Sequence, residues 1–169
     1  MAKITTLFIA DRPKNIESNY GKEFLQNVLD NVTNIIKKLD KNKDQVITSL
    51  AWGVELEAAF ACVDNEIDFH VFLPYENQES IYKGPRLTEY HGLLDAAKSI
   101  TKLSDGPFSV EKIKNKDVEL IKRADIIYYF GINKQQFKGI RARTIPLVDQ
   151  PQQDTVVASE SLNDGYIYL

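Results

Sequence analysis

Apolar and polar positions along this chain fall into blocks with two different periods. Residues 3–10 (KITTLFIA) are apolar and β-branched and end at the turn-forming Asp11-Arg12-Pro13. Such a run reads as a strand, and its near-continuous apolar second half predicts burial on both faces, as in a parallel sheet. A polar loop holding Asn19 and Gly21 follows. Residues 20–40 then place Phe24, Leu25, Val28, Leu29, Val32, Ile35, Ile36 and Leu39 at spacings of three and four, which is a helix with one core-facing stripe. The pattern continues with a strand at 45–49, a helix at 54–63 and a strand at 68–73 stopped by Pro74. A polar loop at 75–85 leads to helices at 87–98 and 109–123, the second capped by Ser109. Strands at 125–130 and 144–148 follow, the last shortened by Pro146. Residues 150–169, with Tyr166, Ile167 and Tyr168, read as an edge strand or an ordered tail.

Strands alternating with helices imply parallel pairing through right-handed crossovers. The expectation is one α/β domain over residues 1–169, a Rossmann-like three-layer fold with a mostly parallel five-stranded sheet. The length of 169 residues suits a single domain, and 43% hydrophobic residues suffice for an ordinary core. A net charge of −3 argues against non-specific nucleic-acid binding, which draws on a surplus of Lys and Arg, and leaves room only for a local basic patch. The only cysteine is Cys62, and the two histidines, His70 and His91, have no metal-ligand spacing. Neither a metal nor a cofactor is expected. With no signal-like start and no apolar stretch of about 20 residues, the expected setting is cytoplasmic, without a membrane.

In an open parallel sheet ligands bind beyond the carboxyl ends of the strands, which selects the loops after each strand. The first, Ala10-Asp11-Arg12-Pro13, puts a guanidinium at a strand end, where it suits phosphate or carboxylate; pairing of Arg12 with Asp11 or a surface carboxylate is the alternative. The second, around Trp52, Gly53, Val54 and Glu55, joins a strand to a helix and offers backbone N–H groups at a helix start. Gly53 turning the chain and Trp52 filling core would explain it equally. The third holds Pro74, Glu76, Asn77 and Gln78, amide and carboxylate groups able to read a base edge or a ribose hydroxyl, or simply to be solvated. No catalytic constellation is legible. Glu55 and Glu57 at a helix start suit the helix dipole as caps, His70 alternates within a strand, and His91 lies on a helix.

Four segments together resemble the SLOG superfamily, most closely its small stand-alone YspA/YpsA-like branch. Phe8-Ile9-Ala10-Asp11-Arg12-Pro13 resembles the family's strand ending in T-G-H-R-P, with Ala10 and Asp11 in place of Gly and His. Ala51 to Ala59 (AWGVELEAA) resembles A-L-G-V-D-x-x-A-A, and Leu73 to Glu79 (LPYENQE) resembles P-F-E-N-Q-E. The stretch from Tyr90 to Asp125, with Asn115, Ala124 and Asp125, resembles the family's Tyr-led helix, R-N-x-x-x-V-D helix and S-D strand entry. The similarity spans residues 3 to 131. The chain then departs: Gly131-Ile132-Asn133 replaces the family's G-G-T phosphate loop, and Lys134, Lys138, Arg141 and Arg143 either supply charge instead or leave the phosphate site lost.

The resemblance implies a nucleotide or nucleotide-derivative binding protein, with a sensor or sequestering role. Its ligand-binding residues would be Ala10, Asp11, Arg12, Pro13, Trp52, Gly53, Val54, Glu55, Pro74, Glu76, Asn77, Gln78, Asn115 and Gly131. Some relatives work at an N-glycosidic bond, so an N-glycosidase or deoxyribosyltransferase-like enzyme with Glu55 as the candidate catalytic carboxylate is the second reading; Glu76 is the other carboxylate at hand. A degenerate family member acting on a protein partner, as small phage or mobile-element variants of host folds do, is the third. The aromatic density of Tyr128, Tyr129, Tyr166 and Tyr168 suits a dimer face, core packing of Tyr128 or Tyr129 being the alternative, and because SLOG relatives are commonly dimers the resemblance also implies a homodimer.

Overall fold

The computed structural model describes residues 2–132 and 134–148. In chain order the elements are β1 (Ile4–Ala10), α1 (Pro13–Tyr20), α2 (Lys22–Lys37), β2 (Asp44–Thr48), α3 (Val54–Asp64), β3 (Phe69–Leu73), α4 (Pro85–Ala96), β4 (Ser99–Lys102), α5 (Val110–Arg123), β5 (Ile126–Phe130) and β6 (Arg143–Pro146), with short 3₁₀ turns at Gln78–Ile81 and Lys134–Phe137. The strands form one sheet in the order β4-β3-β2-β1-β5-β6, and every neighbouring pair is parallel. The chain builds outward from β1 in one direction through β4, then returns to the other side of β1 with β5 and β6. The topological switch lies between β1 and β5.

The central strands are covered on both faces, which explains their continuous apolar runs. On β1, Phe8 packs with Val28, Val32 and Ile36 of α2 and with the apolar side of α3 and α4. Its neighbours Leu7 and Ile9 point the other way, into a smaller core with Leu120 and Ile121 of α5 and Ala124 just beyond its end. Near the amino ends of the strands that second face carries a polar ladder. Gln45 Nε2 donates to Thr5 Oγ1 at 2.9 Å, and the His70 ring bridges Gln45 Oε1 at 3.0 Å and Ser99 Oγ at 2.7 Å. Burial lowers the His70 pKa. A neutral ring that donates from Nε2 and accepts at Nδ1 satisfies both neighbours, so His70 stitches β4 to β2.

Three expectations need correction. The sheet has six strands rather than five: β4 was passed over because its sequence, SITK, is exposed at every position and shows no apolar alternation. It is an edge strand, held by backbone pairing to β3. The polar loop after β1 is instead the helix α1, whose single buried residue, Ile16, leaves no readable stripe; Pro13 at its first turn starts it without loss of a hydrogen bond. All the pairings are parallel, so "mostly" was too weak. The expected tail at 150–169, with Tyr166 and Tyr168, lies outside the described residues. Among the described residues no helix is long and apolar enough to cross a membrane.

Candidate ligand-binding site

The loop after β2 is held by a dense set of hydrogen bonds. Thr48 Oγ1 donates to the Glu55 carbonyl at 2.8 Å and accepts from Leu50 N–H at 3.1 Å. Leu50 is fully buried yet has φ of 61°, a left-handed conformation that a branched residue adopts only when its surroundings impose it. Those surroundings come from the segment after β3. Gln78 Nε2 donates to the Ser49 carbonyl at 2.7 Å and to Tyr90 Oη at 3.1 Å, and Tyr82 Oη donates to the Leu50 carbonyl at 2.8 Å. Burial raises the pKa of both phenols, Tyr90 to about 12, so both keep their protons. Gln78, read from sequence as a ligand contact, therefore uses its amide protons to set the loop.

Gly53 is the second fixed point. It has φ of 107°, and a Cβ there would lie 2.7 Å from Pro13 Cγ. The start of α3 and the start of α1 thus approach so closely that only glycine fits at position 53. Neither helix start has a side-chain cap. The expected capping role of Glu55 and Glu57 is corrected here. Glu55 Oε1 reaches back to accept from Ser49 N–H at 2.9 Å, and Glu57 accepts from Thr33 Oγ1 at 3.2 Å.

The other oxygen of Glu55 meets Lys116 Nζ at 2.8 Å, and Lys116 meets Asp117 Oδ1 at 2.8 Å. All three side chains are buried. Burial alone would discharge Lys116, but Asp117 and Glu55 on either side hold its pKa above the ordinary lysine value. Because α3 packs on one face of the sheet and α5 on the other, this trio ties the two helical layers together beyond the strand ends.

Over these groups opens a cavity of about 1080 Å³ at the carboxyl ends of β1, β2 and β3, large enough for a small organic ligand. Of the residues anticipated from sequence, Ala10, Asp11, Arg12, Pro13, Trp52, Val54, Glu55, Glu76, Asn77 and Gln78 line it, and Gly53, Pro74, Asn115 and Gly131 do not. Gly53 shapes the wall from behind, Pro74 is buried with its carbonyl bound by Ser104 Oγ, and Asn115 is exposed on α5. Sequence reading missed Lys116, together with Tyr75 and Phe108, whose rings meet edge to face at 5.5 Å. Trp52, Ile81 and Phe108, each about half exposed, are large apolar side chains left open to solvent, and all three line the cavity. The Arg86 guanidinium lies 4.5 Å above the Trp52 ring. Among the described residues the Arg12 guanidinium has no ion-pair partner: Asp11 accepts from the Arg12 backbone N–H instead. His91 is exposed and outside the lining.

Among the described residues from Gly131 to Arg143 none lines the cavity. Arg141 pairs with Asp125 at 2.9 Å, and Arg143 sits beside Ile126 in the β5–β6 register. Both are at the amino end of β5, the opposite end of the sheet from the cavity. The idea that these arginines rebuild a phosphate loop is therefore corrected. Phe137 instead packs on Tyr129 at 5.1 Å. Tyr128 stacks on Phe8 at 5.3 Å and contributes to the core. Burial also pushes the Cys62 thiol up to about 12, which keeps it unreactive.

No protein-family model and no curated protein matches this chain. Among solved structures a similar chain is DNA processing protein A from Helicobacter pylori, described for its single-stranded DNA binding mode. The two share 12% identity with a TM-score of 0.49, over 95% of this chain and 74% of that one. A likeness at that level carries no argument about ligand or activity, and the site stands on its own geometry.

Proposed function

We propose that this chain is a binding protein for a small nucleotide-like ligand, seated in the cavity at the carboxyl ends of β1, β2 and β3. The observation that carries the reading is the convergence there of two helix starts without side-chain caps and the Arg12 guanidinium, which has no ion-pair partner among the described residues. The positive ends of two helix dipoles, neither start capped by a side chain, suit an anionic group, and Arg12 and Lys14 add charge at the same rim. The apolar side chains of Trp52, Phe108 and Ile81 offer a surface for a planar or apolar portion. The resemblance of the loops to SLOG proteins, including the YspA/YpsA-like branch, supports the same class of ligand.

The charge balance refines it. The lining holds Asp11, Glu55, Glu76 and Glu79 against Arg12, Lys14 and Lys116. Such a lining favours one anionic group over a polyphosphate chain or a nucleic-acid backbone. Binding is favoured over turnover because both Glu55 oxygens already have partners, Ser49 N–H and Lys116. A glycosidic-bond mechanism requires a carboxylate free to act on the sugar.

Calorimetric titration with nucleoside monophosphates, alongside a short single-stranded oligonucleotide, tests the proposal. A monophosphate should bind and raise the melting temperature, and Arg12→Ala should weaken it about 10- to 100-fold, as expected for loss of a charged hydrogen bond. Unchanged affinity in Arg12→Ala would move the site elsewhere, and binding of the oligonucleotide alone would replace the ligand class.

A further inference from the structure

Asp11 is a cavity residue with only half of its carboxylate partnered among the described residues. It sits at the end of β1, next to the topological switch, with its own N–H donated to the Phe130 carbonyl at 2.9 Å. The residue is only 2% exposed. Its Oδ1 accepts from Arg12 N–H at 2.8 Å and from Asn15 Nδ2 at 3.0 Å. Its Oδ2 is buried and has no hydrogen-bond partner among the described residues. No lysine or arginine side chain forms an ion pair with it there, in contrast to Glu55 and Glu76, which each hold a lysine.

A buried acceptor without a donor is unfavourable and rare in a folded protein. Packing does not require a carboxylate here, since an asparagine of the same shape would serve the Oδ1 contacts equally well. Asp11 is also one of the residues that line the ligand-sized cavity. The donor that Oδ2 lacks is supplied most simply from inside that cavity.

We propose that Asp11 is the specificity-determining acceptor of the site, its Oδ2 taking a hydrogen bond from a hydroxyl or amino group of the bound ligand. This rests on the nucleotide reading of the same cavity and extends it: the ligand carries one anionic group toward Arg12 and, within reach of the end of β1, a hydrogen-bond donor. A ribose hydroxyl and an exocyclic amine share that chemistry, and analogues separate them.

The four ribonucleoside monophosphates are titrated into the wild-type chain. The tightest binder is then compared with its analogues lacking the 2′-hydroxyl, the 3′-hydroxyl or the exocyclic amine. One analogue should bind about 10- to 100-fold more weakly than the parent. In Asp11→Asn, which keeps the shape and the Oδ1 contacts, the parent should weaken by a similar factor and no longer be distinguished from that analogue. A parent nucleotide that binds wild type and Asp11→Asn alike overturns the assignment, as does a wild type that binds every analogue equally. The analogue series needs no variant and decides the point even if Asp11→Asn fails to fold. Failure of every monophosphate to bind wild type removes the nucleotide reading itself, a result distinct from the other two.

Discussion

Two lysines in this protein are each clamped between two carboxylates, at very different depths. Lys102, on the edge strand β4, meets Glu76 at 3.0 Å and Asp105 at 2.7 Å, and all three side chains are substantially exposed. Lys116, on α5, meets Glu55 and Asp117 at 2.8 Å each, and all three are buried. Residue types and distances nearly match, yet the physics does not. Water screens the outer trio and would solvate its members if they parted. The inner trio has no such alternative, so removing one member leaves the others charged in a poorly solvated place. The outer trio decorates the cavity rim at Glu76. The inner one holds the layers on either side of the sheet in register beneath the cavity.

The largest expected effect follows from that difference. Lys116→Met matches the length of the lysine stem but leaves Glu55 and Asp117 facing each other without a cation. It should lower unfolding stability by about 3–5 kcal/mol, as breaking a buried pair from one side does, read from urea denaturation. The loss should persist in high salt, because buried charges are little screened. Glu55→Gln should cost less, about 1–3 kcal/mol, since the amide oxygen still accepts from Ser49 N–H and Asp117 still neutralises the lysine. If Glu55→Gln proved the costlier of the two, the hydrogen bond to the β2 loop would outweigh the ion pair.

The sequence displayed the outer features of this arrangement and hid the inner one. The central strands were legible because burial on both faces leaves near-continuous apolar runs at Leu7-Phe8-Ile9 and Ile126 to Phe130. The loops after β1, β2 and β3 were legible as site candidates because the carboxyl-end rule needs only strand positions. Lys116 was not, because one lysine among Lys112, Lys114, Lys116 and Lys122 on a charged helix reads as surface. Phase was the available signal. Lys116 and Asp117 fall in the stripe that runs from Ile113 to Leu120, Ile121 and Ala124, where a solvated helix would place apolar residues. The role of Gln78 was hidden for a different reason: its partners, the Ser49 carbonyl and Tyr90 Oη, come from separate elements that only the fold brings together.

Asp11 extends the comparison to a buried carboxylate with no lysine partner among the described residues. Burial raises its pKa, against the lowering influence of the Asn15 and Arg12 hydrogen bonds and the Arg12 charge. A carboxyl whose folded pKa lies above its unfolded value favours the folded state when protonated. That contribution is complete below the unfolded value of about 3.9 and is lost as pH rises through the folded value. Asp11→Asn removes the titration. The ligand-free variant should therefore be more stable than wild type at neutral pH, and the gap should close as pH falls toward the unfolded value. Urea midpoints measured for both proteins across that range read the effect directly. A stability difference between the two proteins that stays constant across that range would mean that burial does not raise the Asp11 pKa.

The smallest effect belongs to the outer trio and tests the comparison most sharply. Lys102 has its pKa raised by its hydrogen bonds to Asp105 and Glu76, yet the side chain is substantially exposed. Exposed pairs gain little from such contacts because ordering long side chains offsets the attraction. Lys102→Ala should leave the urea midpoint unchanged, and raising the salt concentration should not distinguish it from wild type. The rim should also keep its shape, because Glu76 N–H donates to the Gly106 carbonyl at 3.0 Å and Ser104 Oγ to the Pro74 carbonyl at 2.7 Å, neither through the lysine. Monophosphate affinity should accordingly stay within about twofold of wild type, a change well under 1 kcal/mol. A Lys102→Ala variant that lost as much stability as Lys116→Met would show that depth is not what separates the two trios. The geometry that they share, a lysine held within 3.0 Å of two carboxylates, would then carry the weight in both.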